Sequence, residues 1–340
     1  MIGIILVINT LFMRSFLFFI GFLLPSVLFA QADHDETFYR QALKKFDTVK
    51  SMAPDSIIIP RVKEMDNSPA ANEYLHREMV AAFLYEGAHN RDAGDLKPWM
   101  EKSFGMPFDS IQDLGRQFGD DYLVWLYARH LLPSDIQERY LLCRLNWYAK
   151  EAWLAHARRF LSDMERYFPQ SSHLNDARAA VQVLESKVAA QKDNKHIHFR
   201  PAVHNLAELL APYKGKVVYL DIWGTWCVPC LHEMTYAPAL KQRVDTAKVV
   251  FLYLDEDRDE DDVKWREYAQ LYAVTGEHVR MNQQDIEGIW EALLHTHNVA
   301  RRYPSYFIIG RDGQLVQPDA KRPSEGEALY NQLRAAIDVP

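Results

Sequence analysis

The stretch YLDIWGTWCVPCLHEM, Tyr219 to Met234, constrains the fold more than any other part of the chain. Its apolar opening reads as a buried strand, and Pro229 fits a first helical turn, where no backbone N–H is needed. A strand running straight into a helix belongs to an α/β layer. Cys227 and Cys230 then stand at i and i+3 on one helical face, within reach of a disulfide. Such a pair can be a redox centre, half of a zinc site, a structural staple or two buried thiols.

The surroundings extend the α/β pattern. KVVYLDIW (216–223), KVVFLYLD (248–255) and SYFIIG (305–310) are short β-branched or aromatic runs. Helical segments are expected around residues 229–244, 261–272 and 285–296, with a last helix near 325–337. Asp312-Gly313 offers a hairpin turn into a fourth strand. The order predicts a central mixed sheet flanked by helices, whose first crossover makes a parallel, right-handed pair.

Upstream, from about Asp35 to Lys192, apolar residues recur at helical spacing. Ser68 and Pro69 open one helix as N-cap and first-turn residues, and Phe168-Pro169 separates the last two. That final pair resembles one tetratricopeptide-like unit. No 34-residue period precedes it, so an irregular all-α domain is expected. The polar segment 191–198 marks the boundary, giving a helical domain over 33–195 and an α/β domain over 196–340.

Residues 1–32 are different again. Arg14, the apolar run 15–30 and Ala30-Gln31-Ala32 have the layout of a secretory signal peptide, with Met13 as the expected start. The competing reading is an uncleaved membrane anchor. Either makes the remainder periplasmic or otherwise extracytoplasmic.

Charge excludes some classes. The formal net charge is −7, and most of it lies in DEDRDEDD (255–262), so nothing supports a nucleic-acid partner. Asp255, Asp257 and Asp259 alternate as in a calcium loop. Glu260 and Arg266 stand where that loop needs Gly and Glu, which leaves a solvated loop opening a helix. Three cysteines do not make a disulfide framework, and Cys143 in RYLLCRLNWY reads as a small hydrophobe on a helix. Zinc would need two more ligands, and His295 and His297 are remote in sequence. No glycine-rich phosphate loop is present. No metal and no cofactor is expected.

What remains is chemistry at Cys227. It sits where the strand ends and the helix begins, so unpaired N–H groups and the positive dipole end favour its thiolate, lowering its pKa from the free value of ~8.5. Cys230, one turn in, is expected to be more buried and to act second.

WCVPC behind an apolar strand resembles the thioredoxin superfamily. With KGKVVYLDIWGTWCVPC, Glu233, YPSYFIIGRDGQLV and AKRPSEGEALYNQL, residues 199–339 resemble TlpA/ResA-like extracytoplasmic thiol-disulfide oxidoreductases. The resemblance implies that Cys227 is the nucleophile and Cys230 the resolving thiol. It implies a cis-proline at Pro304 facing the pair, with Tyr303 before it pairing with an extended substrate. Asp221 matches a buried acid that takes the proton of Cys230; its alternative is a hydrogen-bonded strand-end carboxylate. Trp223 and Trp226 either rim the disulfide for substrate or pack as ordinary core and surface, and Val228 and Pro229 complete the substrate-facing set. Protein thiols and disulfides are the implied substrates, in the reductive direction, with a membrane thiol carrier as electron donor. The competing reading is a helical binding or scaffold protein, in which the helical domain docks a protein partner and the thioredoxin-like module is redox-inert.

Overall fold

The computed structural model describes residues 68–295 and 299–338. The signal segment, the first part of the helical domain and His297 lie outside them. Contacts divide the chain between Gln182 and Val183 into two compact units.

The first unit is all-α. Its helices are α1 (Pro69–Asp92), α2 (Leu96–Phe104), α3 (Phe108–Leu131), α4 (Ser134–Lys150), α5 (Leu154–Tyr167) and α6 (Leu174–Ala190), whose last turns belong to the second unit. Ser68 caps α1 by accepting the Ala71 N–H, with Pro69 in the first turn. Leu75, Met79 and Phe83 bury one face of that helix. Buried carboxylates tie the helices together. Asp121 of α3 accepts from Arg144 and Tyr148 of α4, and Asp163 of α5 accepts from Tyr122 and Trp125 of α3. In each pair one carboxylate oxygen takes the donors of the neighbouring helix, Oδ2 in both cases. Cys143 on α4 is half-buried and unpaired. No helix among the described residues is long and apolar enough to cross a membrane.

The second unit is a six-stranded mixed sheet in the order β1-β4-β3-β2-β5-β6, flanked by helices. Its strands are β1 (Ile197–Arg200), β2 (Val217–Trp223), β3 (Val249–Asp255), β4 (Gly276–Arg280), β5 (Ser305–Ile309) and β6 (Leu315–Gln317). The helices are α7 (Leu206–Leu210), α8 (Val228–Met234), α9 (Ala237–Arg243), α10 (Asp262–Leu271), α11 (Glu287–Leu294) and α12 (Glu327–Asp338). The four strands β1, β4, β3 and β2 run parallel, β5 runs against them, and β6 is antiparallel to β5. Gly313, with φ 85°, closes the β5–β6 turn by donating to the Gly310 carbonyl at 3.0 Å, in the conformation glycine adopts freely.

Strand alternation sorts β2 into two faces. Val218, Leu220 and Ile222 join Leu252, Leu254, Phe307 and Ile309 in an apolar core with Ile289, Trp290 and Leu293 of α11. Each such side chain contributes about 1.5–3 kcal/mol on burial. The opposite face carries Tyr219, Asp221 and Trp223, so one carboxyl is committed to the sheet interior by register alone. β1 and β4 lie beyond the strand runs read from the sequence. Their pairing is polar: the Glu277 carboxylate accepts from Arg200 at 2.5 Å and lies 2.7 Å from Nδ1 of His198.

Candidate active site

β2 leads through Gly224, Thr225 and Trp226 into α8, and Cys227 is the N-cap of that helix. The Cys227 N–H donates to the Gly224 carbonyl at 3.0 Å, turning the chain, and its sulfur accepts the Cys230 N–H at 3.2 Å. The two cysteines are joined as a disulfide with Cα atoms 5.2 Å apart. Both are buried, Cys227 at 0% and Cys230 at 1% exposure, so the expected difference in burial is absent. The capping geometry explains this: a side chain that receives an N–H from the first turn is drawn back over the helix end.

The Tyr303–Pro304 bond is cis and Pro304 is buried at the start of β5. The Tyr303 ring meets Trp226 edge-to-face at 4.7 Å, and Trp290 at 5.6 Å. The segment before Pro304 thus touches the segment before Cys227. Trp226, Val228, Pro229 and Tyr303 are partly exposed, whereas Trp223 is fully buried and presents no surface.

Asp221 is 3% exposed on β2, opposite Tyr253 and Tyr306, and its Oδ1 has no hydrogen-bond partner. Burial pushes its carboxyl well above the usual carboxylate range, the Glu233 carboxylate adds to this, and the Lys241 ammonium pulls the other way. Burial in turn lowers Lys241 to about 7, against the pull of Asp221. Lys241 of α9 lies 5.0 and 4.9 Å above the Phe251 and Tyr253 rings and donates to the Thr275 carbonyl. Glu233 accepts from the Ser324 N–H at 3.0 Å and the Ser324 hydroxyl at 2.8 Å. β2 and α9 thus add a buried carboxyl of raised proton affinity and a lysine lowered to about 7.

Sequence reasoning missed Lys241, Glu256, Asp257 and Arg301. The acidic run was expected to be a solvated loop, but Asp255, Glu256 and Asp257 are 0%, 7% and 2% exposed. The cause is register. β3 carries Asp255 in beside Trp223, and the next residues continue the ladder: the Glu256 N–H donates to the Trp223 carbonyl at 2.8 Å. Asp257 then accepts the Thr225 N–H at 3.2 Å. Only from Arg258 onward does the run face solvent, in ion pairs such as Asp259–Arg280. A signal was present, because KVVFLYLD passes into the acids with no turn residue between. A separate cavity of about 430 Å³, lined by Lys214, Lys216, Lys248 and Arg311, lies at the other end of β2 and takes no part in this site.

A mixed sheet with a disulfide at the strand-to-helix corner and a cis-proline ahead of the antiparallel strand defines a thioredoxin-like domain. Residues 201–333 match the Redoxin family, and the C-terminal region of this chain is a Redoxin domain. The thiol-disulfide oxidoreductase ResA of Bacillus thuringiensis subsp. konkukian (strain 97-27) is 31% identical over 125 residues, 37% of this chain and 66% of that protein. ResA of Bacillus anthracis is 32% identical over 108 residues, 32% of this chain and 57% of that protein. The chain thus spans less than two thirds of these curated relatives. Among solved structures, a thiol:disulfide interchange protein DsbE from Chlorobium tepidum is similar at 27% identity and TM-score 0.30, covering 38% of this chain and 84% of its own. A thiol-disulfide oxidoreductase from Bacteroides vulgatus is similar at 24% identity and TM-score 0.30, covering 37% and 78%.

Proposed function

We propose that the chain is a thiol-disulfide oxidoreductase that exchanges disulfides with protein substrates through Cys227 and Cys230. The observation that carries this reading is the Cys227–Cys230 disulfide at the helix N-terminus, beside the Trp226–Tyr303 contact. In the reduced protein the Cys227 thiolate attacks one sulfur of a substrate disulfide. The S–S bond breaks, the departing substrate sulfur takes a proton, and a mixed disulfide forms. Cys230 loses its proton to the Asp221 carboxylate and attacks the Cys227 sulfur, releasing the second substrate thiol. Two electrons have passed to the substrate and the enzyme disulfide is restored. Asp221 suits that step because a carboxylate whose conjugate acid is favoured by burial is a strong base.

The direction is reductive in this proposal, as the resemblance of residues 199–339 implies, and a membrane thiol carrier resets the dithiol. The apolar run 15–30 supports an extracytoplasmic location, with the segment either removed or kept as an anchor. The helical unit, outside the Redoxin match, is proposed to dock a protein partner. Cys230→Ser tests the exchange: it should accumulate mixed disulfides at Cys227 that dithiothreitol releases. A variant that traps nothing from a disulfide-bonded substrate refutes the mechanism.

A further inference from the structure

The acidic run that follows β3 meets the residues flanking the disulfide through Glu256. The Glu256 carbonyl accepts the Trp226 indole N–H at 3.1 Å. Its carboxylate accepts from Trp290 Nε1 at 3.0 Å, from Arg301 Nη2 at 2.8 Å and from the Tyr303 hydroxyl. Glu256 thus holds both the residue before Cys227 and the residue before Pro304.

We propose that Glu256 is a positioning residue that fixes the spacing of the Trp226 and Tyr303 walls beside the disulfide, and that this spacing selects a disulfide carried in an extended polypeptide over a small free disulfide. The proposal rests on the exchange reaction above and assigns its preference for a polypeptide disulfide to a residue outside the Cys227–Cys230 pair.

The two walls are held from several sides. The Tyr303 ring is wedged between Trp226 and Trp290, and its hydroxyl also accepts from Arg301 at 3.2 Å. Arg301 is braced by Glu287 at 2.6 Å. Gly224 leaves room for the indole to fold back, since a Cβ there would lie 2.5 Å from Trp226 Nε1. Both side chains are ordered before any substrate arrives, so a polypeptide that spans them spends less entropy on binding. A small disulfide reaches the sulfur without lying along both walls, and gains less. A neutral amide cannot serve this set of donors. Glu256→Gln offers one oxygen where two carboxylate oxygens take three donors, and turns an N–H₂ toward a donor.

The test is steady-state reduction of insulin and of bis(2-hydroxyethyl) disulfide by the full chain. Glu256→Gln should raise KM for insulin about tenfold, and its loss of kcat/KM on insulin should exceed that on the small disulfide at least about fivefold. Tyr303→Phe should show the same split, and the double variant should be no worse than the poorer single one. Equal losses on the two substrates, or losses that multiply in the double variant, overturn the proposal. Should Glu256→Gln fail to fold, Tyr303→Phe, which keeps Glu256 paired with Arg301 and Trp290, decides by the same split. A wild-type chain inactive on both substrates refutes the exchange reaction instead.

Discussion

The backbone N–H of Cys230 points at the sulfur of Cys227 from 3.2 Å. In the reduced protein that donor, with the helix N-terminus behind it, stabilises negative charge on Cys227. Burial pushes the half-buried Cys143 thiol the other way. Iodoacetamide at pH 7 should therefore label Cys227 at least about ten times faster than Cys143, read by mass spectrometry of the peptides. Equal labelling rates would contradict the thiolate assignment.

Asp221 should make the fold pH-sensitive. Its folded carboxyl holds a proton well above 3.8, where the unfolded chain has lost it. The contribution is complete below 3.8 and declines as pH rises through the folded value. Asp221→Asn removes that decline. It should be more stable than wild type at pH 7 by about 1–3 kcal/mol and equal to it at pH 3.5, by urea denaturation. The same variant should reduce insulin at least about tenfold more slowly, because Cys230 loses its proton acceptor. A variant less stable than wild type at pH 7 would be inconsistent with an uncompensated buried carboxyl.

Lys241 has the opposite slope. Burial lowers it from 10.5 to about 7, so across that window the unfolded chain binds more protons and stability rises with pH. Lys241→Met cannot titrate. The stability of wild type relative to Lys241→Met should climb between pH 7 and 10, and a flat difference would place the ammonium in water rather than over the Phe251 and Tyr253 rings.

Gly224 is the turn residue with least room. Adding a methyl group would put it 2.5 Å from Trp226 Nε1, so Gly224→Ala must displace the indole from the Glu256 carbonyl. A loss of about 1–3 kcal/mol in stability is expected. A red shift of tryptophan emission should accompany it as the indole moves toward water. Unchanged emission and stability would mean the loop relaxes freely.

Much of the site was legible where chemistry and secondary structure coincide. The cysteine pair declared itself by following an apolar strand, and Pro229 marked the helix start. Pro304, Tyr303 and Asp221 came from resemblance, and β2, β3 and β5 from their β-branched runs. β1 was hidden because HIHFR is a very short alternation inside a polar segment, and β4 because GEHVR has a single apolar residue, its Glu277 set between His198 and Arg200. Glu256 and Asp257 were hidden because a charged run ordinarily faces water. Their burial depends on partners far away in sequence, Trp290 and Arg301 for one and the Thr225 N–H for the other. The electrostatic influence of Lys241 on Asp221 is likewise a product of how α9 lies on the sheet, which no local pattern encodes.

If Cys227 carries out disulfide exchange, insulin reduction by the purified full chain must depend on it. With dithiothreitol as reductant, wild type should accelerate precipitation of the insulin B chain, and Cys227→Ser should fall to the uncatalysed rate. Equal rates for wild type and Cys227→Ser would contradict it and leave the C-terminal unit as a redox-inert module.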